Sequence, residues 1–231
     1  MRLLMMHTAG GEGSVALADT EASPQTVAAE MLPGRSSSER LVSAVKRLME
    51  AEGWRLVELA AVVVVHGPGS FTGVRVGVSA AKGLSEASGV RIVAISRLEL
   101  LARCVEGSGR VHAVLDGGRG EFYYGEYDGV RCVRETLMTQ KELEAVAGGG
   151  LVVVCEAKVV EALRGMALRV VEEPSAADAL PIAVERVSAG RFEDAGLLDA
   201  HYLRRTDAEI FAKPAGLKAA VSEIARPGDA D

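Results

Sequence analysis

Apolar and polar positions along this chain alternate with a period of two, switch to the helical period of 3.6, and then repeat the whole succession once more. Residues 2–6 and 14–18 are short apolar runs separated by a glycine-rich turn at 10–13, and 26–32 follows, which predicts an antiparallel meander of three strands. In "SSSERLVSAVKRLMEAEG" the period changes: Leu41, Val45, Leu48 and Met49 share one helical face. Ser36 and Glu39 have capping-box spacing before that stripe, and Gly53 supplies a stop, so a helix is expected over about 37–52. The uninterrupted "AAVVVV" at 60–65 reads as a strand covered on both faces. A helix over 72–87, a strand at 91–95 and a helix over 97–105 complete the first series.

The second series opens with a hairpin, 111–116 and 121–127, joined through "GGRG", with a third strand at 130–137. Helix 140–147, strand 151–154, helix 158–165, strand 168–171 and helix 176–189 follow. Two three-stranded meanders, each continued by α/β alternation, predict two related α/β lobes. The Ala-, Lys- and Pro-rich residues beyond Asp207 read as a loosely held tail.

Composition sharpens this picture. With 231 residues, 48% hydrophobic, 25% charged and only 4% aromatic, the chain builds its core from aliphatic side chains. A formal net charge of −6 gives it little nonspecific attraction to nucleic acid. No apolar stretch approaches the roughly 20 residues that span a bilayer, and the first residues lack the apolar length of a signal peptide. Cys104, Cys132 and Cys155 form neither a C-x-x-C pair nor an even set. A reduced cytoplasmic setting with no membrane association is the expectation.

Candidate chemistry concentrates in "HGPGSFTGVRVGVSAAKG". Amides at a strand-to-helix turn are competent to hold an anion, which makes Gly67, Gly69, Ser70 and Thr72, with Asp116 on the later hairpin, a candidate nucleotide site. Against this, the Lys-Ser/Thr pair of a P-loop is missing and Pro68 removes a donor; a tight structural turn is the alternative. In the helix that follows, Gly77 and Gly83 each cost about 1 kcal/mol relative to Ala. With Gly73, Ala80 and Ala81 they make a stripe almost free of side chains, understandable if another backbone comes close, either from the same molecule or across a subunit boundary. The four histidines (His7, His66, His112, His201) are scattered, so the two-histidine helical metal site of a metalloprotease is missing. His66 reads as a hydrogen-bonding residue at a strand end. Ser70 does not fit G-x-S-x-G, because the next glycine lies three residues on.

Residues 67–73, "GPGSFTG", followed by Arg75, Gly77, Ala81, Lys82, Gly83 and Leu84 and then by "SRLELLA", closely resemble the run characteristic of the TsaB (YeaZ) family. Shorter matches fall in order at "GSVAL", "SERL", "LDGGRGEFYYG" and "HYLRRTDAE", so the resemblance covers about residues 1–209. It implies an α/β fold of two ribonuclease H-like lobes of the actin/sugar kinase/Hsp70 class: an N-terminal lobe (1–106) carrying partner-binding helices, a C-terminal lobe (107–207) and a flexible tail (208–231). It further implies a noncatalytic subunit that binds and supports TsaD in forming N6-threonylcarbamoyladenosine at position 37 of tRNA. The TsaE ATPase joins that pair, a TsaC-type enzyme is functionally linked, the chain pairs with itself when alone, and tRNA is met only indirectly. No cofactor is expected for this chain; ATP belongs, if anywhere, to the complex.

The expected partner-binding residues are Ser38, Leu41, Val45, Leu48, Gly73, Val74, Gly77, Ala80, Ala81 and Leu84, with bulk at Gly77 or Ala81 abolishing the complex and sparing the fold. Three departures from the family pattern move the chain away from catalysis: His7-Thr8-Ala9 for Asp-Thr-Ser, Ser37 where His is common, and Asp116-Gly117-Gly118 for Asp-Ala-Arg. The alternative expectation is an ATP-binding or ATP-hydrolysing enzyme of the same fold.

Overall fold

The structure is a computed structural model that describes residues 1–21, 23–34, 37–105, 109–147 and 150–204. The expected tail at 208–231, the capping role of Ser36 and the side chain of Ser38 lie outside the described residues.

Three antiparallel strands, β1 (Arg2–His7), β2 (Gly13–Asp19) and β3 (Gln25–Leu32), open the first sheet, and β4 (Leu59–Val65) and β5 (Ile92–Ile95) extend it parallel to β1. Its order is β3-β2-β1-β4-β5. The second sheet repeats the plan with β6 (Arg110–Gly118), β7 (Glu121–Asp128), β8 (Arg131–Thr139), β9 (Leu151–Val154) and β10 (Leu168–Val170), in the order β10-β9-β6-β7-β8. Read from the meander outward, the two orders are the same. The helices are α1 (Ser37–Ala51), α2 (Phe71–Ser88), α3 (Arg97–Ala102), α4 (Gln140–Val146), α5 (Ala157–Ala162) and α6 (Leu180–Ser188).

The uninterrupted valines of β4 are buried between helical layers, as a two-sided strand requires. The single helix expected over 176–189 is divided: a 3-10 turn, Ala177–Ala179, precedes α6, whose first turn carries Pro181, where the missing N–H costs no helical hydrogen bond. A second 3-10 turn, Leu56–Glu58, has no counterpart in the periodicity reading.

A cut between residues 106 and 107 separates the two sheets but not the helices that cover them. Leu98, Leu101 and Ala102 of α3 are buried with Ala113, Leu115 and Tyr127 of the second sheet. In return, Leu180, Ile182 and Ala183 of α6 are buried with Ile92 and Ala94 of the first. The segment after α6 stays on the first lobe: Glu193 pairs with Ile92, and the His201 N–H donates to His66 O at 2.8 Å. From there the His201 ring reaches Glu135 on β8, which also accepts from the Tyr127 hydroxyl, so a carboxylate of the second sheet is tied to a strand-following loop of the first.

Candidate partner groove and interlobe cleft

The loop "GPGSFTG" and the start of α2 are pressed against the end of β1. Ser70 caps α2, its hydroxyl accepting the Gly73 N–H at 3.3 Å, and its own N–H donates to Ala9 O at 2.8 Å. The Thr8 hydroxyl donates to Gly73 O at 2.6 Å. This approach leaves no room for side chains. A Cβ at Gly73 would overlap Thr8 O and stand 3.0 Å from Thr8 C, and one at Gly77 would lie 2.6 Å from Thr8 Oγ1.

The small residues of α2 therefore form two stripes rather than one. Gly73, Val74, Gly77 and Ala81 face the chain's own first sheet and are buried, so these four are withdrawn from the expected partner surface. The close neighbour that Gly73 and Gly77 admit is Thr8, just after β1 of the same molecule, by its backbone at Gly73 and by its hydroxyl at Gly77. Ala80, Gly83 and Leu84 turn another side outward. With the exposed Val42 of α1, and the buried Leu41 and Val45 as its floor, they line an almost wholly apolar groove of about 240 Å³. It continues along α1 past Met49 to Trp54 and Leu56, with Lys46 and Glu50 at its edge. Val42 is 67% exposed there, and Leu48 is packed against the core from a half-buried position. Periodicity missed Val42, which falls outside the main apolar face of α1, and Trp54, which follows the helix stop. The third side of α2 is held by the chain's last described residues: Lys82 Nζ donates to Leu198 O at 3.0 Å, and Arg75 Nε to the Tyr202 hydroxyl at 2.7 Å while its guanidinium lies over Phe71.

The candidate nucleotide residues are only partly brought together. Gly69, Ser70 and Asp116 line a cleft of about 310 Å³ between the lobes, with Ala9, Gly10, Gly11, Arg97, Glu156, Ala157 and Lys158. Thr72 is exposed outside it, and Gly67 is engaged elsewhere, its carbonyl accepting the Arg97 N–H at 2.7 Å. Inside the cleft Arg97 is matched by carboxylates, whereas Lys158 lines it without an ion pair among the described residues. Arg97 meets Glu156 at 2.9 Å and Glu173 at 2.5 Å, and the Asp116 N–H donates to Glu156 at 2.5 Å. The carboxylates around Arg97 oppose a triphosphate at that position. Arg97, Glu156 and Glu173 escaped the sequence reading because ion pairs between residues far apart in the chain leave no local pattern.

No group of three or more His, Cys, Asp or Glu side chains among the described residues is arranged to hold a metal ion. His66 Nδ1 donates to Asp199 O (3.3 Å), consistent with a strand-end role. Burial pushes the Cys104 thiol up to about 11 and the Cys155 thiol to about 12, so neither supplies a thiolate near neutrality. No described helix is long and apolar enough to cross a membrane.

His7, at the end of β1, is buried, and neither ring nitrogen has a partner among the described residues. Burial, with the Arg97 charge behind it, holds its imidazole down to about 3. An unfolded chain takes up this proton below the ordinary value of 6.5, and the folded protein refuses it until about pH 3. The contribution is therefore full above pH 6.5 and is lost as pH falls toward 3. About 2 kcal/mol of stability should go by pH 5. His66, held down to about 4 by burial, acts in the same direction. Urea midpoints of the native chain and a His7→Leu variant at pH 7 and pH 5 check this: the variant should lose about half of the difference, His66 keeping the rest, and an equal slope in both would refute the assignment.

Two sheets of the same strand order, each led by an antiparallel meander and facing a common cleft, define the two-lobed class of ribonuclease H-like folds to which actin, sugar kinases and Hsp70 belong. Residues 27–150 match the family described as TsaD, tRNA N6-adenosine threonylcarbamoyltransferase. The protein "tRNA threonylcarbamoyladenosine biosynthesis protein TsaB" of Escherichia coli is 35% identical over 132 residues, covering 55% of each chain. The Bacillus subtilis protein of the same name is 37% identical over 94 residues, 40% of this chain and 41% of its own. The matched region thus spans about half or less of those relatives' length. The crystal structure of YeaZ from Pseudomonas aeruginosa superposes with a TM-score of 0.74 at 25% identity, covering 87% of this chain and all of that one (100%). The chain belongs to the TsaB/YeaZ family.

Proposed function

We propose that this chain is a noncatalytic subunit in the biosynthesis of threonylcarbamoyladenosine on tRNA, and that it works by docking a TsaD homologue. The observation that carries the reading is the apolar groove between α1 and α2, lined by Leu41, Val42, Val45, Ala80, Gly83 and Leu84. Exposed, contiguous apolar surface between two helices is suited to receiving helices of a partner. The names of the relatives supply the pathway. In this reading the chain needs no cofactor, TsaE joins the pair, a TsaC-type enzyme supplies the activated group, tRNA is met through the partner, and the same groove closes on a second copy when TsaD is lacking. A nucleotide-using reading has less support, because the cleft's Arg97 is already matched by two carboxylates.

Size-exclusion chromatography of the chain mixed with the TsaD homologue of the same organism tests the proposal. A joint peak is expected for the native chain and separate peaks for Val42→Asp, whose carboxylate starts from an exposed position and leaves the monomer intact. Separate peaks for the native pair, or a joint peak for the variant, would sink it.

A further inference from the structure

The Arg97 side chain is 3% exposed and lines the interlobe cleft. Its Nη1 donates to Glu156 at 2.9 Å and its Nη2 to Glu173 Oε1 at 2.5 Å, while Nε has no partner among the described residues. The same Glu173 oxygen accepts the Gly11 N–H at 2.9 Å. A guanidinium and a backbone amide at a tight strand turn, converging on one anionic oxygen, are the donors that proteins present to bound oxyanions. Here the oxyanion belongs to the chain itself. Glu173 lies between β10 and α6 and reaches the turn between β1 and β2, where a Cβ at Gly10 would run into its carboxylate.

We propose that the Gly10–Gly11 turn and Arg97 form an oxyanion-binding position that Glu173 occupies from within, so that the chain's own carboxylate serves as the ligand holding the cleft. Small oxyanions, carboxylate or phosphoryl, are the class that fits the vacated position. Asp116 and Glu156 stand beside it, so an external anion cannot be added to Glu173; it must replace it. The position is separate from the partner groove and stands whether or not the subunit reading holds.

The test uses the full chain and its Glu173→Ala, Glu173→Gln and Gly10→Ala variants. Thermal midpoints are followed against sodium formate and inorganic phosphate, at fixed ionic strength set with chloride. Glu173→Ala should melt lower than the native chain and regain most of the loss with either anion, and calorimetry should show it binding phosphate at least about tenfold more tightly than the native chain. Phosphate rescuing better than formate assigns the position to phosphoryl groups, the reverse to carboxylates, and either supports the proposal. Glu173→Gln, which keeps the size but not the charge, should behave like Glu173→Ala. Gly10→Ala, which dislodges the carboxylate without removing it, should bind phosphate more tightly than the native chain. A Glu173→Ala protein that no anion restores, a Glu173→Gln protein indistinguishable from native, or equal anion responses throughout would overturn it.

Discussion

Gly73→Ala is expected to cost about 3 kcal/mol of stability, at the upper end of what overpacking does, although it adds one methyl group to a helix. The new carbon would overlap Thr8 O, a backbone atom directly after β1, whose last residue His7 is paired with strands on both sides. Neither partner yields readily. The Gly73 carbonyl is fixed by the Thr8 hydroxyl, and the helix start by the Ser70 N–H on Ala9 O. Chemical denaturation read by circular dichroism should give a lowered midpoint with an unchanged slope. Gly77→Leu should fail in the same way, because Thr8 Oγ1 lies 2.6 Å from the added Cβ. This reverses the sequence-based expectation that bulk at Gly77 would leave the monomer folded and remove only the partner. A native-like midpoint for Gly73→Ala would mean that β1 and α2 are not locked together as described.

Gly83 should behave in the opposite way. A Cβ there meets nothing within 4 Å, so Gly83→Ala should raise stability by up to about 1 kcal/mol through helix propensity alone. Gly83→Trp keeps the monomer folded and fills the groove beside Leu84 and Val42. Titration calorimetry with the TsaD homologue should then show affinity lower by about 100-fold or more, as expected when the centre of an apolar interface is blocked. Normal binding by Gly83→Trp would place the docking surface elsewhere. Gly73 and Gly83 lie on one helix ten residues apart and separate folding from recognition: one change breaks the molecule, the other only its contact.

The doubled succession of elements was legible because the switch between periods of two and 3.6 is a local property of the chain. It placed every strand of both sheets and the groove residues Leu41 and Val45; Ala80 came from the stripe of small residues and Leu84 from the family resemblance. It could not say which way the glycines of α2 face. A stripe of small residues records that some backbone comes near, and the neighbour of Gly73 is Thr8, 65 residues away, joined to it through a hydroxyl hydrogen bond that no short window contains. The same holds for the cleft. Asp116, Gly69 and Ser70 could be named from their turns, whereas Arg97, Glu156 and Glu173 meet only once both lobes are built. His7 looked like a simple loss of an acidic side chain; its burial beside a guanidinium is a consequence of packing.

The exchange of α3 and α6 between the lobes has a mechanical meaning. Each sheet is roofed by a helix that is reached from the last strand of the other, so neither half carries its own cover by itself. Leu98 and Leu101 would face water in any fragment ending near residue 106, and Ile92 would lose Ile182. The halves are thus obliged to form and melt as one body, and a force that pries the cleft apart is resisted by two interleaved hydrophobic layers rather than by a hinge.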